Sequence, residues 1–389
     1  MSKSKQYPRL ISSAERSFFL FGPRGTGKST WLRQTYPEAT VINLLDEKLY
    51  QRYLVDIGLF AQTLASIPHG SMVIVDEIQR LPQLLNEVHR MMEDRGLRFI
   101  LSGSSARKLK QHGTNLLAGR AVNRDVHPFL PAELAGDFDL ERVLAYGSIP
   151  VIWSQSSDPE ALESYVQTYI KQEIQGEALV RNLPSFARFL QISALFHGQV
   201  LNISSLARDA GVQRTTVAGY LDVLDDTLMT FRLPAFKAGL RVKEKTHPKL
   251  YWFDPGVVRA IKTQLGPVAL EERGALFEGF IAQTLRAYKS YRKLFDSWSY
   301  WASASHEVDF LLFKGDRCIA IEAKSGTRYR SEFAESLDLL SDAKEMKRMK
   351  TRKMVVYCGD DHLRTPTGVE VLPLQNFLRI VDSGSAWDF

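Results

Sequence analysis

The stretch FFLFGPRGTGKSTWLRQ, residues 18–34, decides how the first third of this 389-residue chain folds. Four apolar or aromatic residues run into a glycine-bearing loop, and a helical pattern follows. Gly22, Gly27, Lys28 and Ser29 satisfy the spacing G-x-x-x-x-G-K-[ST] in the strand-to-helix setting it requires. Each residue type has a physical task there. Glycines let successive backbone N–H groups curl round phosphate oxygens, and the helix turns its positive N-terminus toward them. Lys28 can reach the outer phosphates, and the Ser29 hydroxyl can ligate Mg²⁺. The loop Gly22, Pro23, Arg24, Gly25, Thr26, Gly27, Lys28, Ser29 and Thr30 is therefore the candidate cradle for ATP.

Downstream, SMVIVDEIQRLP (71–82) reads as a buried strand ending at Asp76 and Glu77. A parallel strand delivers such residues to its C-terminal edge, where ligands bind in open α/β sheets. Asp76 can hold hydrated Mg²⁺, and Glu77 can polarise an attacking water. LRFILSGSS (97–105) is a further buried strand, with Ser102 and Ser104 as candidate contacts to the last phosphate. NLLAGRAVNRDV (115–126) offers Arg120, readable as an arginine finger, as a phosphate contact in cis, or as an ordinary surface arginine. With ATVINLLDE (39–47) and VNRDVHPF (122–129), five strands alternate with helices, the pattern of a parallel sheet between helical layers. Glu directly after a strand-end Asp, followed by a polar-tipped strand, resembles the AAA-type P-loop ATPases. That resemblance implies ATP binding and hydrolysis with Mg²⁺. It also implies a homo-oligomeric ring, in which Arg120 would act across a subunit boundary.

From 132 to 177 the pattern is helical, punctuated by GSIP (147–150) and a Ser/Asp/Pro stretch at 154–159; it reads as a lid and connector. Residues 184–236 give a helix ending at His197–Gly198, a short helix capped by Asn202 or Ser204, a turn at Gly211, a third helix and a strand. This is the order of a winged helix-turn-helix. Gln213, Arg214, Thr215 and Thr216 at the start of the third helix are of the types that touch DNA. With one basic residue among them, packing against protein or sensing a substrate is an equal reading.

Near the end, VDFLLFKGDRCIAIEAK (308–324) reads as a hairpin turning at Lys314–Arg317. Counting outward pairs Phe313 with Cys318, Leu311 with Ala320, Asp309 with Glu322 and Glu307 with Lys324. The other face pairs Leu312 with Ile319, Phe310 with Ile321 and Val308 with Ala323, an unbroken apolar set. Two carboxylates placed opposite each other repel unless a cation lies between them. Lys324 or Mg²⁺ could serve; the plain alternative makes Glu322 and Glu307 surface partners of Lys324. Around the hairpin come a helix at 272–293 carrying Glu278, a strand at 294–303, a helix at 329–349 and a strand at 353–359. This order, with Asp309 ahead of Glu-x-Lys, resembles the restriction-endonuclease-like fold. The resemblance implies metal binding by Asp309, Glu322 and Glu278, and a catalytic Lys324.

Net charge is +6, with basic clusters at 237–249 and 344–353, each readable as a solvated face or as contact with an anionic partner. Cys318 and Cys358 lack metal-ligand spacing. No apolar run suits a leader or a membrane span, so a cytoplasmic protein is expected. The expected layout is α/β throughout. It comprises an AAA-type ATPase core (1–135), a helical lid (136–183), a winged helix-turn-helix (184–240) and a restriction-endonuclease-like domain (241–389). End to end, the chain resembles a prokaryotic family joining such an ATPase to a C-terminal domain of unassigned role. That resemblance implies an ATPase associated with DNA and coupled to a metal-dependent nuclease-like domain. The competing reading is a nucleotide-driven switch or scaffold, holding DNA or a protein, whose nuclease-like part does not cut.

Overall fold

The structure of the chain, a computed structural model, describes residues 5–105, 107, 109, 117, 120–155, 158–170, 182–236, 247–303, 305–341 and 346–389. Most of the basic cluster 237–249, the start of the cluster at 344, and parts of the segments 115–126 and 163–177 lie outside the described residues.

The N-terminal sheet has five parallel strands in the order β2-β3-β4-β1-β5, namely Thr40–Asn43 (β2), Met72–Asp76 (β3), Arg98–Gly103 (β4), Phe18–Phe21 (β1) and Val122–Asp125 (β5). Its central strands are apolar on both sides because helices cover both faces. Phe18 and Leu20 pack with Trp31 and Leu32 of the helix Lys28–Thr35. Phe19 and Phe21 face the opposite layer, with Leu84, Leu85 and Val88 of the helix Leu84–Arg95. The central strands β3 and β1 end at Asp76 and Phe21, so the loops after them share one edge of the sheet.

Short helices follow at Pro131–Leu134, Leu140–Tyr146, Pro150–Trp153 and Pro159–Ser164. Then come three longer helices, Leu183–Leu195, Ile203–Ala210 and Arg214–Asp226, with a small antiparallel sheet of order β6-β8-β7. Its strands are Gln199–Val200 (β6), Thr230–Leu233 (β7) and Lys249–Trp252 (β8). The boundary expected at 240 cuts through this unit, because Lys249–Trp252 pairs with both earlier strands. Pairing between distant segments has no local signature in the sequence. The unit grips the lid at Gly147, whose φ of 76° brings it against Asp254. A Cβ there would sit 1.8 Å from Asp254 Oδ1, and Asp254 Oδ2 accepts the Ser148 N–H at 2.7 Å.

The C-terminal sheet has six strands in the order β13-β14-β12-β11-β10-β9. They are Ser297–Ala302 (β9), Glu307–Lys314 (β10), Arg317–Lys324 (β11), Lys350–Tyr357 (β12), Leu363–Arg364 (β13) and Glu370–Pro373 (β14). The hairpin pairs Phe313 with Cys318, Leu312 with Ile319, Leu311 with Ala320 and Phe310 with Ile321, as counted from the turn. Beyond Phe310 the strict alternation fails. The register of β10 against β9 shifts between Val308 and Leu311, and these two residues, three apart, share one core. A bulge of this kind re-aims a side chain. The expected ladder pair Asp309–Glu322 is absent; Asp309 Oδ2 accepts the Ala323 N–H at 2.9 Å instead.

The middle of the helix Leu270–Arg292 is buried on nearly every side. It runs between the C-terminal sheet and the rest of the chain. Tyr288 contributes to the main core, Gln283 Nε2 donates to Ser148 Oγ at 3.1 Å, and the Tyr291 hydroxyl accepts the His127 N–H at 2.9 Å.

Candidate functional site

Two cavities are lined by many of the residues singled out by sequence. The first, about 490 Å³, lies over the loop after β1 and is lined by Arg24, Gly25, Gly27, Lys28, Ser29 and Thr30, with Glu77 from the end of β3. The loop is a preformed turn: Gly25 and Gly27 have φ of 80° and 86°, a region that only glycine enters without strain. Gly22 passes so close to strand β5 that a Cβ would lie 2.6 Å from the Val126 carbonyl oxygen. The Thr26 hydroxyl and N–H both donate to Pro23 O. Lys28 Nζ donates to Gly22 O at 2.6 Å and Pro23 O at 3.2 Å.

At the strand edge, Ser29 Oγ donates to Asp76 Oδ2 at 2.8 Å, while Ser102 Oγ donates to Asp76 Oδ1. Glu77 sits at φ 61°, ψ 41°, left-handed for a residue with a side chain. Such a conformation costs about 1–3 kcal/mol and persists only when its surroundings impose it. One restraint is Gln79, whose Nε2 donates to Glu77 Oε2 at 2.5 Å and to Ser104 Oγ at 3.1 Å. Ser102 and Ser104 are buried beneath the strand edge, and neither lines the cavity. Arg120 is also outside it. Its Nε donates to Glu93 at 2.6 Å on the surface.

Sequence reading missed the opposite wall, formed by Tyr7, Arg9, Phe129, Pro150 and Val151. Arg9 is buried and donates to Thr26 O at 2.8 Å, His127 O at 2.6 Å and Glu133 Oε1 at 3.0 Å. It also reaches the Tyr291 hydroxyl at 3.3 Å, tying the loop to the long helix. The Tyr165 hydroxyl donates to Arg24 O at 2.7 Å. The segment KQYPRL around Arg9 carries no spacing that could have pointed to this role.

The second cavity, about 500 Å³, is lined by Glu278, Glu307, Asp309, Glu322 and Lys324 together with Ser325 and Gly326. Three elements deliver them: the long helix gives Glu278, β10 gives Glu307 and Asp309, and β11 gives Glu322 and Lys324. The cation among these carboxylates is one that sequence reading did not consider. Lys249, at the start of β8 and 1% exposed, places its Nζ 2.8 Å from Glu278 Oε1, 2.5 Å from Glu307 Oε1 and 3.2 Å from Asp309 Oδ1. Burial by itself would depress its pKa, but the surrounding Tyr251, Glu278, Asp309 and Glu307 outweigh burial and raise it well above the ordinary lysine value. The Tyr251 hydroxyl, also from β8, donates to Glu278 Oε1 at 2.5 Å. Lys324, expected between the acids, pairs with Glu322 Oε1 at 2.6 Å at the cavity's edge.

Burial, then the charge of Asp309, holds Glu278 and Glu322 above the usual carboxylate range; Lys249 and Lys324 respectively oppose this. Glu322 is 6% exposed, and its Oε2 has no hydrogen-bond partner among the described residues. Asp309 Oδ1 and Glu278 Oε1 are engaged by an ammonium group, and among the described residues no three His, Cys, Asp or Glu side chains are grouped so as to hold a metal ion.

Residues 14–135 match the family model described as AAA domain. Residues 137–267 and 273–377 match two models described as Domain of unknown function, DUF8612 and DUF4143. An uncharacterized protein of Mycobacterium tuberculosis is 26% identical over 321 residues, covering 78% of this chain and 69% of that protein. An uncharacterized protein of Methanocaldococcus jannaschii is 21% identical over 327 residues, covering 76% and 71%. Among solved structures, the Aeropyrum pernix ORC1 protein in complex with DNA aligns with a TM-score of 0.28 at 12% identity, over 64% of this chain and 86% of that one. The parallel-sheet N-terminal domain resembles AAA-type ATPases, and among the described residues no helix is long and apolar enough to cross a membrane.

Proposed function

We propose that this chain binds and hydrolyses ATP at the first cavity. The observation that carries this reading is the Ser29–Asp76 hydrogen bond of 2.8 Å beside a cavity that Lys28 and Glu77 also line. The loop backbone and Lys28 would hold the phosphates, and Ser29 with Asp76 would hold magnesium, which supplies charge neutralisation when bound. Glu77, held by Gln79 in its strained conformation, would orient the attacking water. Tyr7, Phe129 and Pro150 give the nucleotide base an apolar wall. A finger role for Arg120 would require a second copy of the chain.

The reading extends to DNA through the three-helix unit, whose Gln213, Arg214 and Thr215 are exposed at the start of the helix Arg214–Asp226. We read that unit as a winged helix-turn-helix and the six-stranded domain as nuclease-like. Lys249 favours the form of this reading in which the C-terminal domain binds without cutting, since an ammonium group occupies the place of a catalytic cation.

Phosphate release should be measured with and without duplex DNA, in wild type, Lys28→Ala and Glu77→Gln. Turnover in wild type that both variants lose supports the proposal. Absence of turnover in wild type, or its survival in Lys28→Ala, overturns it. Unchanged turnover on adding DNA, with no shift in the anisotropy of a labelled duplex, would remove the DNA part alone.

A further inference from the structure

The acidic cavity of the C-terminal domain is an unusual balance of charge. Four carboxyl groups, Glu278, Glu307, Asp309 and Glu322, border it. Two ammonium groups answer them, and they come from different parts of the chain. Lys324 belongs to the same hairpin as its partner Glu322. Lys249 belongs to the small sheet of the three-helix unit, and it alone bridges three of the four acids. Glu322 lines the same cavity, and its buried Oε2 has no hydrogen-bond partner among the described residues.

Uncompensated charge this deep is expensive, so the acids need a cation at all times. A divalent ion and a lysine ammonium meet the same need with different geometry. The ion takes oxygen ligands at about 2.0–2.6 Å. An ammonium group donates three hydrogen bonds at the longer distances seen here. Both cannot occupy the oxygens of Glu278 and Asp309 together.

We propose that Lys249 is a built-in counter-cation that excludes divalent metal from the C-terminal cavity, and that the cavity takes up a divalent cation only when strand β8 withdraws this ammonium group. Metal occupancy is thereby linked to the position of the three-helix unit, because β8 is the central strand of that unit's sheet. Tyr251 leaves Glu278 in the same movement, since it sits two residues along the same strand. The orphaned oxygen of Glu322 is the ligand already waiting. None of this requires the nucleotide, so the inference stands or falls apart from ATP turnover.

The test is Mn²⁺ binding by the full-length protein, read from the loss of the free-ion electron paramagnetic resonance signal. Asp76→Asn is kept in every sample to silence the phosphate loop. The chain with Lys249 intact should show no site in the second cavity. Lys249→Met should gain one Mn²⁺ site, tighter by about ten-fold or more than any binding with Lys249 present. Adding Asp309→Asn should abolish it. Because Lys249→Met alone leaves an unbalanced buried charge, the pair Lys249→Met with Glu307→Gln, which removes one charge of each sign, is run beside it. The same gain in the double variant supports the proposal. Failure of the double variant to gain a site overturns it. So does a site of equal affinity, sensitive to Asp309→Asn, in the chain that retains Lys249.

Discussion

Lys28 lines the first cavity and Lys249 contacts three acids that line the second; both ammonium groups are buried, and they are held in opposite ways. Lys28 bonds to carbonyl oxygens five and six residues before it, within a turn whose glycines fix its shape. Lys249 bonds to carboxylates 29 and 60 residues further along, on two elements of another domain. The first site is a local object made from backbone, able to form wherever its strand and helix form. The second exists only once the small sheet, the long helix and the hairpin are packed together. Local polar sites tolerate neighbouring changes; a charge cluster assembled from three elements fails when any member is lost.

The sharpest break in that comparison should come from Lys249→Ala. Removing one partner of a buried ionic cluster costs about 3–5 kcal/mol, measured as the shift in urea unfolding of the C-terminal part. Lys28→Ala should do the reverse, lowering ATP turnover by about 10²–10³-fold while moving unfolding by about 1 kcal/mol at most. Comparable losses of stability in both variants would erase the distinction.

A smaller effect should follow Glu322→Gln. The folded protein holds this carboxyl above its ordinary value, burial being the main cause and Asp309 the next. Its contribution to stability is therefore present below the unfolded value and lost as pH rises through the raised one. Glutamine mimics the protonated form, so the variant should be more stable than wild type by about 1–3 kcal/mol at about pH 9 and nearly equal at about pH 5. A variant less stable than wild type at the higher pH would mean that the ion pair with Lys324 outweighs the orphaned oxygen. The smallest effect belongs to Arg120→Ala. Its exposed pair with Glu93 predicts a change in stability of about 0.5 kcal/mol or less.

Glycine spacing made the phosphate loop readable from the chain alone, and apolar runs ending in Asp76 and Ser102 gave the strands of the N-terminal sheet. The hairpin was readable up to Phe310, because alternation and the turn at Lys314–Arg317 set its register. It ceased to be readable at Asp309, because a bulge answers to the neighbouring strand and to packing, not to the residues that form it. The three-helix unit was visible in outline. Its last strand was not, since Lys249 lies beyond a long stretch that carries no turn signal joining it to β7.

What residue order alone determined, then, is everything whose partners lie within a turn or two: the loop, the strand-end acids and the start of the hairpin. Tertiary structure decided which cation meets which acid. Coulomb attraction and burial act through space, so a lysine 60 residues before Asp309 in the chain can be its nearest counter-charge, displacing the one fifteen residues after it.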